Sequence, residues 1–196
     1  MGTRGVCGFR INGEDLLNYQ QFDSYPTGVG AKIMENIREF SNEQLAAAAI
    51  RIQVIDDKIP PTDEQIEECK SWADTSVSSG TLKDWYCLLR KCQGTLQPFV
   101  EGMKYLANSK DFLYDSVFCE WGYIVNLDTG NLEIYRGFNK KKRNDAGRYA
   151  DKTMDENEQY WGCTLFKEIA LDKIRKLKDV GAFCKKLEKE AYSDED

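Results

Sequence analysis

The most informative absence in this 196-residue sequence is histidine, which does not occur at all. Its absence excludes serine and cysteine mechanisms that use imidazole as the base, zinc sites that need histidine, and histidine-based pH switches near neutrality. The sequence also lacks an apolar run approaching the ~18 residues of a membrane span. It contains no P-loop, G-x-G-x-x-G or EF-hand spacing. We therefore predict no cofactor, no bound metal and no membrane association.

The composition that remains is that of a soluble globular protein. Hydrophobic residues make up 41% of the chain and charged residues 31%, a balance typical of one ordinary domain with a real core. We predict a single domain over residues 1–190 and a frayed acidic tail over residues 191–196. The 27 Lys and Arg against 33 Asp and Glu give a net charge of −6. This charge argues against nonspecific binding to nucleic acid, because phosphate contacts require concentrated cations.

The cysteines indicate a reducing compartment. There are seven, an odd number, and none forms a C-x-x-C pair. The first residues, Met1–Gly5, contain no apolar segment of the kind that follows the basic start of a secretory signal. We expect reduced thiols and a cytoplasmic protein. A zinc site assembled from four distant cysteines remains an alternative, with Cys87 and Cys92 as the nearest pair.

Two β-hairpins are predicted, one on each side of a helical middle. The first spans residues 4–22 and turns at Asn12-Gly13, a favoured tight-turn pair. The second joins residues 117–126, where Trp121 and Tyr123 share one face, to residues 132–138. Together they predict an antiparallel sheet of about four strands, packed on the helical middle and a C-terminal helix. The fold class is therefore α+β.

Helix starts are marked by capping residues and by apolar residues at helical spacing. An irregular loop is predicted over residues 23–30, because its proline and glycines disfavour regular structure. A helix follows from about Ala31, a second is capped by Ser41 or Asn42, and Thr62 caps a third.

The later part of the chain contains two predicted helical stretches and a basic run. Residues 81–107 are expected to be mostly helical, and a long amphipathic helix is expected over residues 164–190. Lys140–Arg143 are four consecutive cations that acidic residues soon follow. No aromatic pattern accompanies these lysines in the sequence, so we interpret them as a solvated loop. Nucleic-acid binding at this run is the alternative, and it predicts steep salt dependence.

The densest group of special residues predicts a binding site near the N-terminus. Because the first hairpin turns at residues 12 and 13, Arg4 is expected to meet Asp23, with Tyr25 stacked nearby. Gln21 and Ser24 complete a candidate polar pocket in front of a helix. The simpler interpretation is an ion pair between Arg4 and Asp23 that orders a loop shaped by proline and glycine.

Two motifs resemble those of a family of short, largely uncharacterised proteins found in phages, plasmids, bacteria and some fungi. Members open with a Met-Ser-Thr-Arg-like start and carry an Asp-Gly-Tyr-Pro-x-Gly-x-Gly-like loop. The matching residues here are Thr3-Arg4-Gly5 and Asp23-Ser24-Tyr25-Pro26-Thr27-Gly28-Val29-Gly30. The segment Trp121–Asp128 also resembles a recurring hairpin of that family. The resemblance implies a phage or mobile-element origin more than an activity, and where many members carry a histidine this chain has Gln21 nearby.

Two catalytic alternatives remain. Cys7-Gly8-Phe9 is similar to the Cys-Gly start of class II glutamine amidotransferases, in which an N-terminal cysteine is the nucleophile and its own amine is the base. That chemistry requires cleavage of the chain before Cys7. Carboxylates provide the second route, with Asp23, Glu120 and Asp128 as candidates for hydrolysis or metal binding. Burial in an apolar strand would raise the pKa of Glu120.

We expect a cytoplasmic protein-binding accessory factor, encoded by a phage or another mobile element, that acts on a host protein. The alternative is a small hydrolase or amidase with an N-terminal-nucleophile-like fold, in which Cys7 is the candidate nucleophile. The predicted binding residues are Arg4, Gln21, Asp23, Ser24 and Tyr25.

Overall fold

Seven strands and seven α-helices follow one another in the computed structural model, which describes residues 2–157 and 159–193. The strands are β1 (Gly5–Ile11), β2 (Glu14–Gln20), β3 (Gln53–Val54), β4 (Tyr105–Leu106), β5 (Trp121–Asn126), β6 (Asn131–Arg136) and β7 (Thr164–Ala170). The helices are α1 (Ala31–Glu39), α2 (Asn42–Arg51), α3 (Asp63–Cys69), α4 (Trp85–Leu88), α5 (Gln97–Glu101), α6 (Leu171–Arg175) and α7 (Val180–Ser193). The predicted α+β class is confirmed.

The main sheet has five strands in the order β2-β1-β5-β6-β7 and is mixed. Strands β1 and β5 run parallel, whereas the other neighbours are antiparallel. The prediction of an antiparallel sheet of about four strands is therefore wrong in both strand number and direction. The helical middle carries the chain back to the end of the sheet where β1 begins, so the two hairpins meet through a parallel pair.

The fifth strand, β7, lies where the sequence predicts the start of the last helix. That prediction is wrong for Thr164–Ala170, which pairs antiparallel with β6. Leu132–Tyr135 of β6 are buried, so the outer backbone groups of that strand need hydrogen-bond partners, which β7 supplies. The helical part is divided into α6 and α7. The second of these continues to Ser193, past the predicted start of the acidic tail, whose residues 194–196 lie outside the described part of the chain.

Several local predictions are confirmed by backbone geometry. Asn12 and Gly13 both have positive φ, 52° and 78°, as the tight turn between β1 and β2 requires. Helix α1 begins at Ala31, and the side chains of Ser41 and Thr62 each accept a hydrogen bond from the backbone at the start of α2 and α3.

Two other local predictions are wrong. Residues 81–107 contain only short helical pieces, α4, a 3-10 turn over Arg90–Cys92 and α5, joined by irregular segments, and β4 forms a small parallel pair with β3. Gly94 and Gly102 interrupt the segment at positive φ, 71° and 124°. The irregular loop also proves to be partly ordered, because Pro26–Gly30 forms a π-helical turn that leads directly into α1. Proline suits the first position of a helix, since its φ is already helical.

The sheet is covered on both faces, so every residue of β5 is buried. The larger core lies on the helical side, where Phe9, Tyr123 and Ile134 pack with residues of α1, α2 and α7. The smaller core lies on the opposite face and includes Val6 and Tyr135. Segments from the second half of the chain close this smaller core, through Leu113, Tyr149 and Cys163 among others.

The seven cysteines are buried as free thiols in these two cores and beside them. Burial raises the pKa of the Cys92 thiol to about 12 and that of the Cys69 thiol to about 11.

Within residues 2–157 and 159–193, no helix combines the length and apolar character needed to cross a membrane.

Candidate functional site

The predicted N-terminal site is held against the sheet by Ser24, which is buried. Its backbone N–H donates to the Thr3 carbonyl oxygen at 3.0 Å, and its hydroxyl donates to the Arg4 carbonyl oxygen at 2.9 Å. The hydroxyl of Tyr123 donates to the Ser24 carbonyl oxygen at 2.8 Å. These bonds fasten the loop to the two residues that precede β1 and to β5, and they engage the Ser24 hydroxyl within the protein.

The other predicted binding residues point to different places. The Arg4 guanidinium lies over the Phe118 ring, 4.7 Å from its centroid. The hydroxyl of Tyr25 donates to an Asp23 carboxylate oxygen at 3.1 Å, and Gln21 accepts from a neighbouring tyrosine. Among the described residues no hydrogen bond or ion pair joins Arg4 to Asp23. The five residues therefore do not converge on one pocket.

The rest of the loop serves close packing. Thr27 donates to one Glu188 carboxylate oxygen from its backbone N–H at 3.1 Å and from its hydroxyl at 2.7 Å, which joins the loop to α7. A Cβ atom at Gly28 would lie 2.2 Å from the Asp23 carbonyl oxygen, and one at Gly30 would meet the Tyr123 ring at 2.9 Å. The glycines therefore permit close backbone contact in this structure, with no open space for a ligand beside them.

The candidate catalytic residues are also separated. Cys7 lies in the larger core at 1% exposure, and burial raises the pKa of its thiol to about 12, which leaves it protonated and inaccessible at neutral pH. Asp128 accepts hydrogen bonds from the backbone N–H groups of Asn12 and Gly13, at 2.7 and 2.9 Å. Glu120 is half-buried, and burial raises its pKa while the nearby Arg4 charge opposes the shift. No metal-binding group of three or more side chains occurs among the residues described.

One buried charge cluster escaped the sequence-based prediction. Asp15 of β2 and Glu133 of β6 both form ion pairs with Arg148, at 2.9 and 2.7 Å. The hydroxyl of Tyr149 donates to Asp15 at 2.6 Å, and Arg10 forms an ion pair with the same carboxylate at 2.9 Å. Burial alone would raise the pKa of Asp15, but the hydrogen bonds and charge of Arg148, together with Tyr149 and Arg10, lower it.

This cluster fastens Arg148 and Tyr149, which lie in the segment between β6 and β7, across the smaller core. Asn139 adds an anchor at the start of that segment, because its side-chain amide donates to the Gly162 carbonyl oxygen at 2.9 Å. Its backbone N–H is bound by the Ser116 hydroxyl oxygen at 3.0 Å. The basic run Lys140–Arg143 therefore follows directly on a residue, Asn139, that is fixed by hydrogen bonds.

The surface carries an open feature that we call the basic aromatic groove. It consists of two adjoining clefts of about 550 and 540 Å³ that share the segment from Arg136 through Phe138 and also Lys140. The first cleft is lined by Glu120, Trp121, Arg136, Gly137, Phe138, Lys140 and Tyr192. The second extends along the basic run to the first residues of β7 and is lined by Arg136, Gly137, Phe138, Asn139, Lys140, Lys141, Arg143, Asp145, Ala146, Thr164, Leu165 and Phe166.

Phe138 is the most unusual residue of this groove. It is 57% exposed, and its φ of 61° places a bulky aromatic residue in the left-handed region. Its backbone N–H donates to the Ser116 carbonyl oxygen at 2.8 Å. A Cβ atom at the preceding Gly137 would lie 2.2 Å from the Cys119 carbonyl oxygen, so the Gly137 backbone packs directly against the backbone of Cys119. An exposed side chain held in an unfavourable conformation is a recurrent property of binding surfaces.

The charges of the groove are predominantly positive although the chain is acidic. Lys140 and Lys141 are exposed, and neither forms an ion pair with a described residue. Arg143 is 3.5 Å from Asp145, and Lys142 lies over the Trp161 ring at 5.0 Å. The aromatic partners that the sequence does not show beside the lysines are therefore supplied by other segments of the chain.

Sequence patterns offered only one signal for this groove, the basic run itself. The aromatic residues come from β5, from the segment just after β6, from β7 and from α7, and only the tertiary structure brings them together.

No protein-family model matches the chain, and it has no match among the curated proteins or the solved structures.

Proposed function

We propose that this protein is a binding module that recognises an acidic segment of a partner protein through the basic aromatic groove. The observation that carries the proposal is the exposed, left-handed Phe138 beside Lys140 and Lys141, whose exposed ammonium groups form no ion pair with a described residue. An aromatic anchor with neighbouring cations suits a partner that presents both carboxylates and an apolar side chain.

A protein partner fits the groove better than nucleic acid does. Two carboxylates, Glu120 and Asp145, line the same clefts as the lysines and would repel a continuous phosphate backbone. A peptide can place its acidic residues against Lys140 and Lys141 and its neutral residues against those two carboxylates. The resemblance of the N-terminal motifs to phage and plasmid proteins supports the further proposal that the partner belongs to a host cell.

Peptide selection tests this proposal. A library of random dodecapeptides is selected on the immobilised protein, and we expect enrichment of acidic peptides that contain an aromatic or large aliphatic residue. The double substitution Lys140→Glu with Lys141→Glu should weaken the selected peptides at least about tenfold, which corresponds to about 1.4 kcal/mol. The matched control is Lys176→Glu with Lys178→Glu, which reverses two exposed lysines outside the groove and should leave binding unchanged.

Two outcomes would contradict the proposal. One is a selection that yields no peptide whose binding depends on Lys140 and Lys141. The other is tighter binding of a single-stranded dodecanucleotide than of any selected peptide, with a steep loss of affinity as salt is raised. The second outcome would identify the groove as a nucleic-acid site.

A further inference from the structure

We infer that the partner segment binds as an extended strand that adds to the outer edge of β7, with its side chains entering the basic aromatic groove. This inference rests on the proposed function and specifies how the groove engages its ligand. Addition of a strand to a sheet edge is a common way to recognise peptides, in which main-chain hydrogen bonds give affinity and adjacent pockets give specificity.

Strand β7 is an open edge. It is the last strand of the five-stranded sheet, and only its Leu165 N–H is bound on the outer side, by the Ala146 carbonyl oxygen at 2.8 Å. From Phe166 to Ala170, no backbone hydrogen bond leads to a described residue outside β6. Glu168 and Ala170 on this stretch are exposed, so solvent reaches the edge.

The opposite edge of the same sheet is closed, which makes β7 distinctive. There the Leu17 carbonyl oxygen of β2 accepts from the Ser109 N–H at 2.8 Å, and the Leu17 N–H donates to the Asn108 side chain at 3.1 Å. An edge strand with free backbone groups is normally covered or protected by charge. The β2 edge is covered at Leu17, whereas no described backbone group covers the β7 edge from Phe166 to Ala170.

The open edge and the groove form one continuous surface. Thr164, Leu165 and Phe166 of β7 line the second cleft, and Lys141 and Arg143 line it too. A strand laid along β7 would therefore run past the cations, and every second side chain would point to the same face of the extended sheet. The groove then contributes side-chain recognition and the edge contributes main-chain recognition.

Charge sets the expected alignment of the added strand. The cations lie at the Thr164 end of β7, whereas Glu168 presents a carboxylate toward the other end. Lys167, between them, is held by Glu190 at 2.8 Å. The acidic residues of the ligand should therefore lie beside Phe166, at the end of the free stretch nearest the cations, and a neutral or basic part of it beside Glu168.

Alternate N-methylation of a peptide tests this inference. The probe is the dodecapeptide with the highest affinity from the selection described above, prepared in two N-methylated forms. One form carries methyl groups on the even-numbered amides and the other on the odd-numbered amides. Because successive amides of a strand point to opposite edges, only one form removes the hydrogen bonds to β7. We expect that form to bind at least about tenfold more weakly and the other form to bind within about twofold of the parent peptide.

Amide hydrogen exchange supplies an independent measurement. The parent peptide should slow exchange at outward-facing amides of Phe166–Ala170 and leave the covered β2 edge unchanged. Equal affinity of the two methylated forms, without slowed exchange in β7, would overturn the strand addition. If the parent peptide still depended on Lys140 and Lys141, the proposed function would survive that result. A dimer that forms through β7 without peptide would also overturn the inference, since a second copy would then occupy the edge.

Discussion

The loop Asp23–Gly30 and the basic aromatic groove differ in how their side chains are used. In the loop, Ser24 and Thr27 bind the sheet and α7, and its glycines allow backbone contacts that a side chain would block. In the groove, Phe138 and the neighbouring lysines point toward solvent and have few internal partners. The loop is the more conspicuous of the two in the sequence, but the groove is the one that offers open space and the exposed ammonium groups of Lys140 and Lys141.

This difference shows what dense groups of glycine, proline and short polar residues indicate. Such residues mark positions where backbone geometry is demanding, and here the demand comes from docking the chain onto its own sheet. Binding surfaces can instead be assembled from ordinary residues that lie far apart in the sequence. Substitutions that separate stability from binding would show whether the two regions really differ in this way.

The largest expected effect lies where the loop meets the sheet. A Cβ atom at Gly5 would lie 2.1 Å from the Trp121 carbonyl oxygen and 2.9 Å from the Ser24 Cβ atom. Gly5→Ala should therefore force β1, β5 and the loop apart and lower the free energy of unfolding by about 3 kcal/mol or more. The control is Gly181→Ala in α7, where the nearest atom lies at 3.4 Å and helix propensity favours alanine by up to about 1 kcal/mol. Urea denaturation measures both variants, and equal stability of the two would contradict the docking of the loop.

The second-largest loss of stability is expected when the charge cluster around Arg148 is broken. Arg148→Met leaves the buried carboxylates of Asp15 and Glu133 without their shared cation. We expect a loss of roughly 2–3 kcal/mol, below the usual range for a broken buried pair because Arg148 is partly exposed. Urea denaturation again measures the effect. Arg148→Lys should recover only part of the loss, since lysine cannot bind both carboxylates with a planar fork. An unchanged Arg148→Met variant would show that the cluster does not hold the segment.

The same cluster predicts a pH dependence of defined sign. Because the folded-state pKa of Asp15 lies below its unfolded value, the unfolded chain binds the proton more readily. The stability contributed by Asp15 is therefore present above about pH 4 and is lost as the pH falls further. Urea midpoints measured from pH 6 to pH 3 should fall more steeply in the unsubstituted protein than in Arg148→Met. Parallel curves would contradict this role of Arg148.

Local rules predicted the fold well where the deciding interactions lie close in sequence. The tight turn at Asn12-Gly13, the start of α1 and the caps at Ser41 and Thr62 depend on residues within one turn of each other. The strand β7 was missed because Phe166 and Ile169 have a spacing that also suits a helix. Only the need of β6 for a second partner decides between the two structures.

The candidate site was harder to predict from the sequence, because the residues that form it lie far apart in the chain. Arg148 was visible only as a cation near the basic run, and nothing near it in the sequence indicated that Asp15 and Glu133 would be buried beside it. The aromatic partners of the groove come from four separate segments. Alternation in β5 placed Trp121 and Glu120 on opposite sides, but it gave no sign that Tyr192 would complete the same cleft.

A smaller loss of stability is expected at Asp23, where two substitutions separate the role of the backbone conformation from the role of the carboxylate. Asp23 has a φ of 57°, a conformation that glycine adopts freely and β-branched residues resist. Asp23→Val should cost about 1–2 kcal/mol in urea denaturation, whereas Asp23→Gly should stay within about 0.5 kcal/mol and keep full peptide binding. Loss of binding in the glycine variant, at unchanged stability, would show that the carboxylate itself contacts the partner and would restore the loop as a binding site.

The smallest expected effect on stability accompanies a large effect on binding. Phe138→Gly removes an exposed ring that makes an edge contact with the Tyr160 ring at a centroid distance of 6.1 Å, and it relieves the left-handed backbone. Since the lost contact and the gained backbone freedom are each about 1 kcal/mol or less, they offset each other, and the free energy of unfolding should change by less than about 1 kcal/mol. The selected acidic peptide should nevertheless bind at least about tenfold more weakly, because its anchor is gone. Phe22→Gly is a useful comparison, since Phe22 is another exposed aromatic residue and lies outside the two clefts. If both glycine variants kept the affinity of the unsubstituted protein, the exposed ring of Phe138 would have no part in recognition and the groove would bind through charge alone.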